Sequence, residues 1–292
     1  MEETIQLLIA GLAYGSVYAL VALGFVLIYN AVGVVNFAQG EFVMIPAFIS
    51  IIFLNFLGLP FIIAYPITLA VSAIFGIIFQ RVAYYPLRNR TFLPVVISTI
   101  GASIVLQNSA LAVFGGQPKS PPSIFLPGDT VSVAGIAINP QYFIVIGVTL
   151  LMVVFQYFLF ERTTLGKQLQ ATAQDRQTAR LMGIRVDCMI IYTFIYSAIL
   201  GAIAGLLVGP LLLVKTTMGG DISLKAFCAS IVGGFGSVPG AILGGLFLGV
   251  VEKFAARYIA SEYEQGFAFI ILIVVLLFRP QGFFGEKISE KA

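Results

Sequence analysis

Nine runs of apolar residues, six of them near or above the length of a bilayer crossing, leave this chain little else to be. A hydrocarbon core of roughly 30 Å takes about 20 helical residues, and on that ruler 5–28, 42–57, 61–79, 92–114, 142–160 and 190–214 are crossings. A less regular part follows, with shorter runs at 222–232, 239–251 and 266–278. Of the 292 residues 59% are hydrophobic and only 10% charged, against about 25% charged in a soluble domain. At a mean hydropathy of +1.02 the polar residues cannot cover a water-facing globule. The expectation is an all-α polytopic membrane protein of about eight or nine transmembrane helices, forming one transmembrane domain over 1–292. Soluble enzymes, nucleic-acid binding modules and secreted disulfide scaffolds are excluded, and the lipid bilayer is the first partner.

What the chain lacks narrows its chemistry. It has no histidine, hence no imidazole zinc triad, no histidine-assisted nucleophile and no near-neutral proton relay. Cys188 and Cys228 stand far apart with no CxxC and read as free thiols. No G-x-x-x-x-G-K-[ST] phosphate cradle occurs: Gly166-Lys167 lacks the upstream glycine and the following hydroxyl, and 233–240 has no lysine. No HExxH, GxGD or aspartate cluster supports an intramembrane enzyme or a metal site. Neither a metal nor another cofactor is expected, and any ATP must be handled by a partner. Glu2 and Glu3 before the first run, with no positive n-region, make that run a retained span rather than a cleaved signal.

Lysine and arginine set the orientation, because positive loops stay on the cytoplasmic side. They collect as Arg81, Arg88 and Arg90, then Arg162, Lys167, Arg176, Arg180 and Arg185, then Arg279, Lys287 and Lys291. Putting all three clusters inside requires 222–232 to cross, with 233–238 as an inner turn. The N-terminus is then outside and the C-terminus cytoplasmic. The Pro- and Gly-containing stretch 115–141, which includes Gly128, becomes an external loop, and 163–188 becomes the longest inner one.

Two apolar runs end in polar, glycine-containing interruptions. The first passes from 5–28 into Gly33, Asn36, Gln39, Gly40 and Glu41, the second from 190–214 into Gly219, Gly220 and Asp221. On the topology above they start from opposite sides, the pattern of an inverted repeat whose broken helices face a translocation path. Irregular backbone at that depth must be buried in protein or line water. Asn36 can cap the restarted helix by accepting from backbone N–H groups. Glu41 either opens a helix near the inner interface, favoured by the helix dipole, or lines a gate, since an intramembrane acid usually faces a bundle interior or cavity. Tyr14 and Tyr18 on the first span, with Ser98, Thr99, Ser103, Gln107 and Asn108 on the fourth, either line a pathway or pack helices through hydrogen bonds. In the inner loop, Asp175 reads as an N-cap, Ala179, Leu181 and Met182 as an apolar edge, and Gly183 as the residue beyond the helix end. A helix that short is marginal alone, so it either docks on something or is a solvated connector.

The run Gly33-Val-Val-Asn-Phe-Ala-Gln-Gly-Glu-Phe42, the loop Ala171-Thr-Ala-Gln-Asp-Arg-Gln-Thr-Ala-Arg-Leu-Met-Gly-Ile184, the stretch Gly233-Gly-Phe-Gly-Ser-Val-Pro-Gly-Ala241 and the ending Phe278-Arg-Pro-Gln-Gly-Phe-Phe-Gly285 resemble the inner-membrane permease of branched-chain amino acid ABC importers. The resemblance covers nearly the whole chain. It implies a bacterial inner-membrane protein that pairs with a second homologous permease subunit, two cytoplasmic ATPase subunits and a periplasmic substrate-binding protein. It also implies that Asp175, Ala179, Leu181, Met182 and Gly183 lie in the segment coupling to the ATPase, and it leaves the pathway candidates at Asn36, Gln39, Glu41, Tyr14, Tyr18, Ser98, Thr99 and Asp221. Where the family commonly has histidine, this chain has Gln39, which argues against a protonation role there. Leucine, isoleucine and valine are the implied cargo. Urea or short amides remain as alternative cargo, and a secondary carrier or channel as an alternative mechanism.

Overall fold

Small residues decide which helices occupy the centre. Along α1 (Glu2–Val32) Gly11, Ala13, Gly15, Ala19, Ala22 and Gly24 are buried or nearly so, and the helix is enclosed for most of its length. α8 (Val186–Leu212) is built the same way, with Gly201, Ala202, Ala204, Gly205 and Gly209 buried. Without a lipid-driven hydrophobic force, close backbone approach at such residues is what holds membrane helices together.

The computed structural model describes residues 2–121, 130–133, 136–259 and 264–285. A 3₁₀ turn (Phe37–Gly40) leads into α2 (Glu41–Ile51), which ends in a π turn (Ile52–Phe56). α3 (Phe61–Phe79) continues through a second π turn (Gln80–Tyr84), and α4 (Phe92–Phe114) follows. A short hairpin, β1 (Val131–Val133) with β2 (Ile136–Ile138), precedes α5 (Pro140–Arg162), α6 (Thr164–Gln174) and α7 (Arg176–Leu181). After α8 come α9 (Met218–Gly233), α10 (Val238–Tyr258) and α11 (Glu264–Phe278). Among the described residues seven helical segments have membrane-crossing length and composition, and α9 and α11 are shorter, in rough accord with the expected eight or nine. α3, α4 and α5 turn large apolar side chains outward, among them Ile62, Ile97, Val113, Leu151 and Val154, as a lipid-facing belt does.

The two halves interlock. α1 packs against α9 and α10, while α8 packs against α2 and α3. Gly11 and Gly15 sit on the backbone of α10 at Val250 and Leu246, and on the other side Gly76 of α3 sits on Phe194 of α8, and Gly201 on Phe42 of α2. The end of α1 and the beginning of α8 lie together, since Gly33 is beside Arg176 and Asp187 opens α8 next to Arg180 and Arg88. The two central helices therefore run in opposite directions, each held by the second and third helices of the other half, as an inverted repeat requires.

Described members of all three basic clusters meet at one end of the bundle. Arg88 reaches Asp187 at 3.5 Å and Arg180 reaches it at 3.8 Å. The segment after Arg279 pairs with the end of α9, Phe283 N–H donating to the Val232 carbonyl at 2.9 Å and Phe284 N–H to Gly233 at 2.8 Å. Close Gly233–Gly240 packing makes the α9–α10 turn tight, and Asn30 Nδ2 ties it to α1 through the Gly236 carbonyl at 2.9 Å. The opposite end carries the Glu3–Arg257 pair and the Lys119–Val214 bridge. Lys287, Lys291 and Gly128 lie outside the described residues.

The boundaries move. The run expected at 190–214 is the helix Val186–Leu212, and that at 222–232 is Met218–Gly233. The run expected at 239–251 is the helix Val238–Tyr258, longer because Glu252 and Lys253, just past the apolar run, are carried on an unbroken helix whose Glu252 is fully buried.

Candidate functional site

The two interruptions meet inside the bundle. After α1 the chain turns back along it, and Gln39 comes to rest against Gly24, about 12 Å along α1 from its end at Val32 at 1.5 Å per residue. Asn36 caps the 3₁₀ turn, its Oδ1 accepting from Ala38 N–H at 3.1 Å, which is the cap read from the sequence. From the other side, Leu212 ends α8, Val214 pairs with Lys119, and α9 restarts at Met218. Gly40 and Gly219 touch so closely that a Cβ on either would run into the other's carbonyl. Only glycine permits this approach.

A polar cluster surrounds the first restart. Ser103 Oγ of α4 donates to Glu41 Oε1 at 2.9 Å. Thr99 Oγ1 accepts from Phe37 N–H at 3.2 Å and donates to the Val96 carbonyl at 2.8 Å. Ser197 Oγ donates to Gln39 Oε1 at 3.0 Å or to the Gly24 carbonyl at 3.2 Å. Asn36, Gln39 and Glu41 are almost wholly buried, yet Asn36 Nδ2, Gln39 Nε2 and Glu41 Oε2 find no partner among the described residues. Buried polar atoms are nearly always bonded, so three unmet groups on six consecutive residues set this segment apart from the packed core. Of the two readings for Glu41, the helix start is present, since it is the first residue of α2, but the start lies within the bundle rather than at an interface.

A second cluster surrounds the other restart. Asp221 pairs with Lys215 at 2.8 Å. One turn further, Lys225 Nζ lies 2.5 Å from Glu252 Oε1, which also accepts from Tyr18 OH at 3.2 Å. Glu252 escaped the sequence reading because an adjacent Glu-Lys pair at the end of an apolar run looks like an interface. The signal was the apolar spacing that continues through Phe254 and Tyr258. Lys225 is likewise an interior residue, its side chain only 13% exposed.

Of the sequence candidates, the fold gathers Asn36, Gln39, Glu41 and Thr99 in one place, and Tyr18 and Asp221 in the other. Ser98 bonds the Ala83 carbonyl at 2.9 Å and holds α4 to the end of α3. Tyr14 lies toward the Glu3 end, its ring 6.3 Å from Tyr142 and under Lys253 at 4.0 Å.

The loop over 163–188, expected inside, forms as two short helices. Asp175 caps α7, accepting from Gln177 N–H at 2.8 Å, Thr178 N–H at 3.3 Å and Thr178 Oγ1 at 2.6 Å. The Thr178 hydroxyl, followed by those two amides, holds its carboxyl below the usual carboxylate range. Gly183 at φ +82° ends the helix, with Gly183 N–H bonded to Arg180 and Ile184 N–H to Ala179. The apolar edge expected over Ala179, Leu181 and Met182 divides in two. Ala179 is buried in the same apolar cluster as Ile28, Val32 and Ile190, while Leu181 and Met182 are 87% and 78% exposed. α7 turns Ala179 inward, and Leu181 at its end and Met182 just beyond it face the other way.

Residues 7–276 match the family described as branched-chain amino acid transport system, permease component. The chain is similar to the high-affinity branched-chain amino acid transport system permease protein BraD of Pseudomonas aeruginosa, with 38% identity over 98% of this chain and 97% of that one. To LivH, the corresponding permease protein of Escherichia coli K12, it is 33% identical at the same coverage. A more distant similarity, 26% identity over 72% of this chain and 62% of the relative, is to the autoinducer 2 import system permease protein LsrC of Yersinia pestis. Among solved structures, PsaBC from Streptococcus pneumoniae in complex with Fab aligns with a TM-score of 0.53 over 94% of this chain and 91% of that one, at 16% identity.

Proposed function

This chain belongs to the family of branched-chain amino acid transport system permease components, and on that premise we propose that it is the membrane-spanning permease of an ATP-driven importer for leucine, isoleucine and valine. The observation that carries the reading is the meeting of two oppositely directed broken helices at Gly40 and Gly219, with a buried polar cluster beside each. Backbone breaks and unmet polar groups at membrane depth are costly, and they persist where the bundle must open a path. The chain works beside a second homologous permease, two cytoplasmic ATPase subunits and a periplasmic binding protein. The end bearing the basic clusters faces the cytoplasm, as positive loops do. There the exposed Leu181 at the end of α7 and Met182 just beyond it offer an apolar contact to the ATPase, held in place by Asp175, Ala179 and Gly183. Hydrolysis belongs to those partners, and this subunit supplies the path. It sits in the inner membrane with its N-terminus outside.

The test is uptake by proteoliposomes holding the chain with its co-encoded partner subunits. Accumulation of labelled leucine that requires both ATP and the binding protein is the expected result. Leucine counterflow by the chain alone, without ATP, would overturn the reading in favour of a secondary carrier. ATP-driven urea uptake that excludes leucine would reassign the cargo to short amides.

A further inference from the structure

A cavity of about 180 Å³ lies beside the second restart, toward the end of the bundle that carries Glu3 and Arg257. Its wall has two chemistries. Leu212, Met218 and Ile222 give an apolar side, while Lys215, Asp221 and Lys225 give a charged one. The charges come as two ion pairs, Lys215–Asp221 at 2.8 Å and Lys225–Glu252 at 2.5 Å. The first pair is partly exposed, its side chains 42% and 39% accessible, and the second is nearly enclosed.

The geometry points to this cavity as a docking site for a zwitterionic amino acid with an apolar side chain, entered from the end where Lys215 and Asp221 are exposed. The assignment rests on the importer reading above and extends it to a place and a mode of recognition. A neutral amide or urea gains nothing from paired full charges, and a lone anion or cation can satisfy only one partner of each pair. A free amino acid carries both charges on adjacent atoms. Its carboxylate fits between the Lys215 and Lys225 ammonium groups and its ammonium against the Asp221 carboxylate, exchanging the Lys215–Asp221 contact for three charge-assisted ones. The aliphatic side chain then covers Leu212, Met218 and Ile222. Because the exchanged pair is partly solvated, opening it costs little, and the solute is held weakly enough to move on.

Cysteine protection tests this directly. Cys228 is buried, so Leu212→Cys in a Cys188→Ser background gives one accessible thiol at the cavity wall. The chain is reconstituted with its partner subunits and labelled with a membrane-impermeant maleimide, without binding protein. Millimolar leucine should slow labelling several-fold, while leucinamide, 4-methylpentanoate and urea should leave it unchanged. Asp221→Asn and Lys215→Gln should each abolish protection without altering the unprotected labelling rate. Failure of leucine to protect, in proteoliposomes that import leucine once binding protein and ATP are added, would overturn the site and leave the importer reading standing. Equal protection by urea would overturn the zwitterion assignment. Protection by leucine in a complex that imports no amino acid would keep the site and overturn the importer reading.

Discussion

The Lys225–Glu252 pair should be a structural tie between α9 and α10, and its strength can be worked from its surroundings. Lys225→Met removes the cation 2.5 Å from a carboxylate that has no solvent exposure, while leaving Tyr18 OH in place at 3.2 Å. Removing one partner of a buried pair costs about 3–5 kcal/mol, because the remaining charge has lost its compensation rather than because the pair itself is strong. The residual exposure of Lys225 and the retained Tyr18 donor place the expected loss near the lower bound, about 3 kcal/mol. Adding Glu252→Gln takes away the charge and keeps an acceptor for Tyr18. The double variant should therefore recover about 2 kcal/mol, a coupling inside the range found for contacting residues. With no tryptophan in the chain, unfolding is best followed by far-ultraviolet circular dichroism in mixed micelles of increasing dodecyl sulfate content, for the wild type, both single variants and the double. If the losses of the two single variants simply add, with coupling under about 0.5 kcal/mol, the carboxylate does not depend on Lys225 and the tie is refuted.

Four further outcomes are expected. Glu41→Gln, which keeps shape and most hydrogen-bonding capacity, should lower leucine uptake in a fully assembled complex, and wild-type uptake would leave Glu41 only its place at the start of α2. Gly219→Ala puts a Cβ 2.5 Å from the Gly40 carbonyl, so overpacking of about 1–3 kcal/mol should reduce the yield of folded protein in size-exclusion chromatography, whereas Gly220→Ala, which meets nothing, should not. Leu181→Glu with Met182→Glu should abolish co-purification of the ATPase subunits while membrane insertion is retained, and Ala179→Glu should instead loosen α7 from its own bundle, seen as faster proteolysis at 175–183. Because the Asp175 carboxyl is held low by Thr178 and Gln177, the α7 cap is fully present above the ordinary carboxylate value of about 3.9 and is lost as pH falls through the lowered one. Hydrogen-exchange protection of the Gln177 and Thr178 amides, relative to their intrinsic exchange rates, should accordingly be full at pH 5 and fall only in stronger acid.

The sequence alone determined everything that follows from the bilayer as solvent. Apolar run length yielded the helix count roughly, and the distribution of arginine and lysine required 222–232 to cross; the fold places the 16-residue α9 there and gathers the described members of the three basic clusters at one end. Local chemistry also sufficed for the Asn36 and Asp175 caps and for the Gly183 helix end, because each is a bond between residues two to five positions apart. Tertiary structure decided what depends on which helices touch. That Gly40 meets Gly219, that Ser103 serves Glu41, and that Ala179 points inward while Leu181 and Met182 point out, all follow from packing across the two halves, which no spacing along one helix encodes. Glu252 is the sharpest case: beside Lys253 at the edge of an apolar run it looks like a solvated helix end, and the apolar spacing through Phe254 and Tyr258 names no partner for it. α9, arriving from the opposite direction with Lys225, and α1, with Tyr18, provide partners that let a carboxylate stay buried.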